Sequence, residues 1–163
     1  MGKIYPDATM LNLLGEYDCK CDAKGRIMFP AGLRKQLQEV VHDGFVINRD
    51  MFSKCLVLYP MKQWSEVSAQ VGKLNRFVAK NVQFIRRFNN GATKVELDST
   101  GRLLLPPALA AFADVKKEVK LSALGDRIEL WSKSAYDDMI NEDVDMGALS
   151  EDVMGGVNPA EDE

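Results

Sequence analysis

The feature that most limits how this chain can fold is that it carries one cassette twice. DAKGRIMFP (22–30) returns at 98–106 as DSTGRLLLP, with Asp22/Asp98, Gly25/Gly101, Arg26/Arg102 and Pro30/Pro106 in step and three apolar positions between arginine and proline in both copies. Internal similarity at a fixed offset defines the folding unit before any local reading does. Upstream, EYDCKCD (16–22) lies over ATKVELD (92–98), and both alternate like short strands leading into the aspartate. Downstream, FVINR (45–49) matches VKLSA (119–123), and CLVLYPMKQW (55–64) matches IELWSKSAY (128–136) with the preceding Arg127. The offset slips only where loops are expected. Each unit reads as strand, turn, strand, short helix, strand, turn, strand and the start of a helix, over 16–64 and again over 92–136.

A unit of about fifty residues is marginal alone, because a small chain withdraws too little surface from water to offset its conformational entropy. Two units packed as a pseudo-symmetric pair remove that difficulty, and 163 residues with 46% hydrophobic content suffice for the pair. Between them, Trp64, Val67, Val71 and Leu74 share one helical face, while Phe77, Phe84, Ile85 and Phe88 make a second stripe. Asn75 marks a break between two helices, and NNG (89–91) ends the second. These stripes serve either the strands or other subunits. The expected organisation is an N-terminal extension (1–13), repeat 1 (14–62), a helical connector (63–90), repeat 2 (91–136), and a C-terminal helix end with an acidic disordered tail (137–163).

No run is long enough to span a bilayer; the most apolar, Leu103 to Ala113, has eleven residues and two prolines. The first fourteen residues hold no signal-peptide core, so the expected compartment is the cytoplasm. Cys19 and Cys21 face the same way on a predicted strand and Cys55 begins another. They read as small apolar side chains in a reducing compartment, or as part of a metal site that would need a further ligand such as His42, the only histidine. A single histidine, no paired-carboxylate signature and no phosphate-loop glycine pattern argue against an enzyme, and no cofactor is implied.

The net charge of -3 conceals an uneven distribution. Residues 141–163 hold eight acids and no base, so the remainder carries 21 bases against 16 acids. Lys20, Lys24, Arg26, Arg34 and Lys35 cluster in sequence around the first cassette, whereas the second has Lys94 and Arg102. Such a cluster is either a solvated face or the footprint of a nucleic acid. Within the cassette, an aspartate at the start of a tight turn can accept from amides two residues on, and the glycine permits the positive φ of a reversal. The arginine that follows either pairs with the aspartate to hold the turn, or is presented outward, where its planar fork suits a phosphate or a guanine edge.

GEYDCKCDAKGRIMFPAGLRKQL, CLVLYPMKQW, NNGATKVELDSTGRLLLPPAL and KEVKLSALGDRIELW together resemble the MraZ family, whose two SpoVT-AbrB-type repeats each carry a D-x-x-x-R motif; the likeness covers residues 14–140. The resemblance implies an α+β, mainly β fold in which two AbrB-like swapped-hairpin repeats form a pseudo-dimeric barrel with flanking helices. It implies a cytoplasmic, nucleoid-associated repressor of a division and cell-wall gene cluster, binding double-stranded DNA at promoter repeats as a homo-oligomeric ring with no membrane association. The residues expected on DNA are Asp22 and Arg26 of the first motif and Asp98 and Arg102 of the second, with Lys20, Lys24, Arg34 and Lys35 in support. Ala110 stands where the first repeat has Arg34, which implies unequal contact by the two repeats. Related alternatives are an AbrB-like antitoxin, with Met146, Leu149, Val153, Met154 and Val157 as a partner-binding segment, and a partner-binding ring protein.

Overall fold

The structure, a computed structural model, describes residues 11–156. The chain divides into two compact units, Met1–Lys133 and Ser134–Glu163. The first opens with β1 (Glu16–Lys20), β2 (Arg26–Met28), the short helix α1 (Ala31–Gln36), β3 (Phe45–Arg49) and β4 (Leu56–Pro60). Helices α2 (Met61–Gly72) and α3 (Ala79–Asn89) follow, and then β5 (Thr93–Val95), β6 (Arg102–Leu104), α4 (Pro107–Phe112), β7 (Glu118–Ala123) and β8 (Ile128–Ser132) repeat the pattern. The structure is α+β and mostly antiparallel sheet.

Strand pairing crosses between the repeats. The six-stranded sheet runs β1-β7-β8-β4-β3-β5, and β2 pairs with β6 in a separate ribbon. Exchanging the repeats (β1 for β5, β3 for β7, β4 for β8) returns the same order read backwards. The sheet therefore has a pseudo-twofold at its β4–β8 centre. Each repeat's first strand lies on the other repeat's third strand: Cys19 opposes Val119, and Val95 opposes Phe45. β3 and β4 are buried nearly throughout and read as continuous apolar runs, as central strands do, whereas edge strand β1 alternates exposed and half-buried residues.

The core forms between sheet, ribbon and the two short helices. Ile27 and Leu103 face each other across the ribbon, both 1% exposed. α1 and α4 have six residues each, too few to be stable as isolated helices. Each follows a proline whose fixed φ leads the chain in, Pro30 or Pro106, and each inserts one fully buried leucine, Leu33 or Leu109. Burying such a side chain contributes about 1.5–3 kcal/mol, and that packing holds the helix.

The connector helices are fastened by aromatic rings. Trp64 stacks on Phe88 (5.7 Å, 3°) and meets Tyr59 of β4 at 5.5 Å. Buried Asn48 donates from Nδ2 to the Phe88 carbonyl (2.7 Å), tying the end of α3 to β3. Phe77 departs from the predicted stripe. The Asn75 side chain accepts its amide (3.0 Å), which holds Phe77 in the loop before α3, fully exposed.

The second unit contains most of α5 (Lys133–Ile140) and all of α6 (Met146–Met154). α6 corrects the expectation of a disordered tail over these residues. Asp145 caps its first turn, accepting from the Ala148 amide at 3.2 Å, a local device that a reading of acidic composition overlooks. Val157 and residues 158–163 lie outside the described residues.

Candidate nucleic-acid interface

Each cassette folds as a reversal closed on its own aspartate. Asp22 Oδ1 accepts the amides of Lys24 and Arg26 (both 2.9 Å), and Oδ2 accepts Arg26 Nε at 2.7 Å. Asp98 Oδ1 accepts the amides of Thr100 and Arg102 (both 2.9 Å) and the Thr100 hydroxyl (2.8 Å), and Oδ2 accepts Arg102 Nε at 3.1 Å. Gly25 and Gly101 supply the positive φ, 83° and 80°, that lets each turn close. Amides donated to the charged form favour ionisation. The Arg102 amide and the Thr100 donors hold the Asp98 carboxyl down to about 2, and the Arg26 amide leads the same downward shift at Asp22.

The two readings of the arginine are thus compatible. Nε is committed to the aspartate, and among the described residues the terminal guanidinium nitrogens make no hydrogen bond. In the ribbon, Arg26 opposes Leu104 and Met28 opposes Arg102, so all four side chains share the outer face. Met28 and Leu104 are more than half exposed, and the arginine side chains are about 30% exposed. The turns are coupled: the Phe29 amide donates to the Gly101 carbonyl (3.0 Å) and the Leu105 amide to that of Gly25 (2.8 Å). Each arginine turn is therefore backed by the strand leaving the other turn.

That coupling redistributes the basic residues. Arg34 does not support the first turn, as its place in the sequence suggests. α1 follows the strand that ends beside the second turn, so Arg34 Nη1 lies 2.7 Å from where a Cβ on Gly101 would stand. Lys20 and Lys24 do remain beside Asp22, around an open cavity of about 730 Å³. Lys35 is exposed on α1. Lys116 and Lys117 join Lys20 and Lys24 from the far repeat, since the Cys21 amide donates to the Lys117 carbonyl at 2.8 Å. Sequence reading missed them because they lie about ninety residues from the turn; the offset between repeats was the signal that could have placed them.

The cysteines are all free thiols. Burial pushes the Cys19 thiol up to about 11, and burial with Glu129 and Asp50 nearby raises Cys55 further. Asp50, Cys55 and Glu129 bring one potential ligand atom each within 4.8 Å of one another. These groups already serve the fold: Asp50 Oδ2 accepts the amides of Phe52 (3.0 Å) and Ser53 (2.8 Å), Glu129 Oε1 accepts Trp131 Nε1 (3.0 Å), and Cys55 Sγ lies 3.9 Å from Glu129 Oε2. Cys19, Cys21 and His42 take no part in that cluster. Among the described residues, no helix is long and apolar enough to cross a membrane.

Comparison with known proteins agrees with the duplication. A family model described as "MraZ protein, putative antitoxin-like" matches twice, over residues 12–86 and 88–152. Proteins called "Transcriptional regulator MraZ" are similar over most of their length. That of Flavobacterium psychrophilum is 48% identical over 93% of this chain and 98% of its own, and that of Christiangramia forsetii 48% identical over 90% and 95%. That of Phocaeicola vulgatus is 35% identical over 93% and 99%. The second match runs to residue 152, inside α6, so the likeness extends beyond the 14–140 expected from the motifs.

Proposed function

The chain belongs to the MraZ family, and from that premise we propose that it is a DNA-binding transcriptional regulator, not an enzyme, acting through its two arginine turns. The observation that carries this reading is the shared outer face of the β2–β6 ribbon. It presents Arg26 and Arg102 on one diagonal of the ribbon, with Leu104 opposite Arg26 and Met28 opposite Arg102 on the other. A two-stranded ribbon is narrow enough for a major groove, where guanidinium groups can take guanine edges or phosphates and apolar groups can meet thymine methyls. Asp22 and Asp98 hold the arginines in position; Lys20, Lys24, Arg34 and Lys35 add attraction to phosphate.

One ribbon makes few contacts, so useful affinity calls for several. The proposed assembly is a homo-oligomeric ring that engages repeated promoter sites, where later contacts form at high effective concentration. The proposed target is the promoter of the protein's own division and cell-wall gene cluster, repressed by a cytoplasmic, nucleoid-associated protein. The fold proposed is a pseudo-dimeric barrel of repeat 1 (14–62) and repeat 2 (91–136), joined by a connector at 63–90. Binding by full-length protein and its Arg26→Ala and Arg102→Ala variants to the DNA upstream of its gene, with oligomer size checked by light scattering, tests the reading. Each loss is expected to cost about 1–3 kcal/mol per base-reading contact, more at Arg26. Undiminished binding by a folded Arg26→Ala oligomer would overturn the assignment.

A second reading, an antitoxin, draws on α6, where Met146, Leu149, Val153 and Met154 are exposed. It requires that deleting α6 abolish neutralisation of a toxin encoded beside the gene. Unaltered protection by the truncated chain would dismiss it.

A further inference from the structure

Superposing the repeats by their seventy-six-residue offset exposes a difference between the turns. At the second, the Arg34 guanidinium covers Gly101, which is buried. At the first, the equivalent position is Ala110, and Gly25 remains half-exposed beside the open cavity. Leu105 and Ala110 are among the residues of its apolar floor, and Lys20, Lys24, Lys116 and Lys117 line it. The acids nearby are Asp22, already occupied by its turn, and Glu118, opposite Lys20 in the β1–β7 register.

The charges around the second turn are reversed. Glu96 stands at the position of Lys20 and pairs with Lys94 at 3.5 Å; where the offset slips to seventy-four, as the pairings Cys19–Val119 and Val95–Phe45 set it, His42 and Asp43 stand at the positions of Lys116 and Lys117. A notch lined by four lysines beside the Asp22–Arg26 turn attracts a phosphate; at the second turn Arg34 covers the equivalent glycine, and Glu96 and Asp43 replace two of the lysines.

We infer that the notch is a phosphate-accepting subsite built by both repeats, in which Lys116 and Lys117 hold a DNA backbone phosphate while Arg26 engages the same duplex. The subsite rests on the DNA-binding reading above. It makes one chain bind unequally, with the first turn as the anchor.

The test uses full-length protein and the exposed double variant Lys116→Ala/Lys117→Ala. A charge-matched control removes Lys73 and Lys80, exposed on the α2–α3 connector. Affinity for the upstream duplex is measured across a salt series. Each phosphate contact releases about 0.9 counterion, so losing this one contact is expected to shrink the log–log slope by about 0.9 per engaged chain. That corresponds to roughly fivefold in affinity for the lysine pair at 0.15 M salt, while the control keeps the wild-type slope. Equal slopes for the two double variants would overturn the subsite.

NMR titration with inorganic phosphate separates this outcome from failure of the DNA reading itself. If the wild-type protein binds no duplex but phosphate shifts the amides of Lys24, Lys116 and Lys117, the DNA reading fails and the notch stands as a site for another phosphate compound. If those amides do not move either, both fail.

Discussion

Asp22 and Asp98 each do two things with one carboxylate: Oδ1 closes the turn and Oδ2 aims the arginine. Both effects need the ionised form, which sets a pH window. The Asp98 carboxyl lies at about 2 against an ordinary 3.8, so its contribution is complete above 3.8 and is lost as pH falls through about 2. A carboxyl-carbon NMR titration is expected to place the Asp98 midpoint near 2; a midpoint at 3.8 would mean that the turn does not hold its amides in solution. The turn was legible in sequence because its chemistry is local, an acid meeting amides two and four residues on. The destination of Arg34 and the arrival of Lys116 and Lys117 were not, because both follow from strand pairing between distant segments.

Among the elements, α3 is tied at its end by a buried side chain of β3. Its eleven residues are marginal as an isolated helix, and Asn48 holds its last turn through the Phe88 carbonyl while accepting the Arg49 amide at 2.9 Å. Asn48→Ala removes both bonds in a buried setting, and a cost of about 1–3 kcal/mol is expected in denaturant melts. Hydrogen exchange over residues 79–89 is expected to accelerate more than over β3; unchanged exchange there would show that the Trp64–Phe88 stack suffices alone. Apolar spacing made both connector helices readable. It also drew Phe77 into a stripe it does not join, because an Asx turn outranks periodicity at a helix start. At α6, eight acids suggested disorder, yet one of them, Asp145, is the cap that starts the helix.

At the scale of the molecule, neither repeat contains all of its own partners: β1 needs β7, β5 needs β3, and β2 needs β6. A fragment of residues 1–90 is therefore expected to fold only as a homodimer that imitates the missing half, or not at all. Sedimentation combined with thermal melting checks this, and a cooperative transition from a monomeric fragment would contradict it. Joining the two halves in one chain also changes what a single mutation can reach. In a dimer of identical subunits every codon is expressed on both faces, so a gain on one side is forced on the other. Here the codons for Arg34 and Ala110, or for Lys20 and Glu96, have been free to part company. Grip on a ligand can be adjusted one face at a time, while a change at Ile27 or Leu103, where the ribbon strands meet, is felt by both.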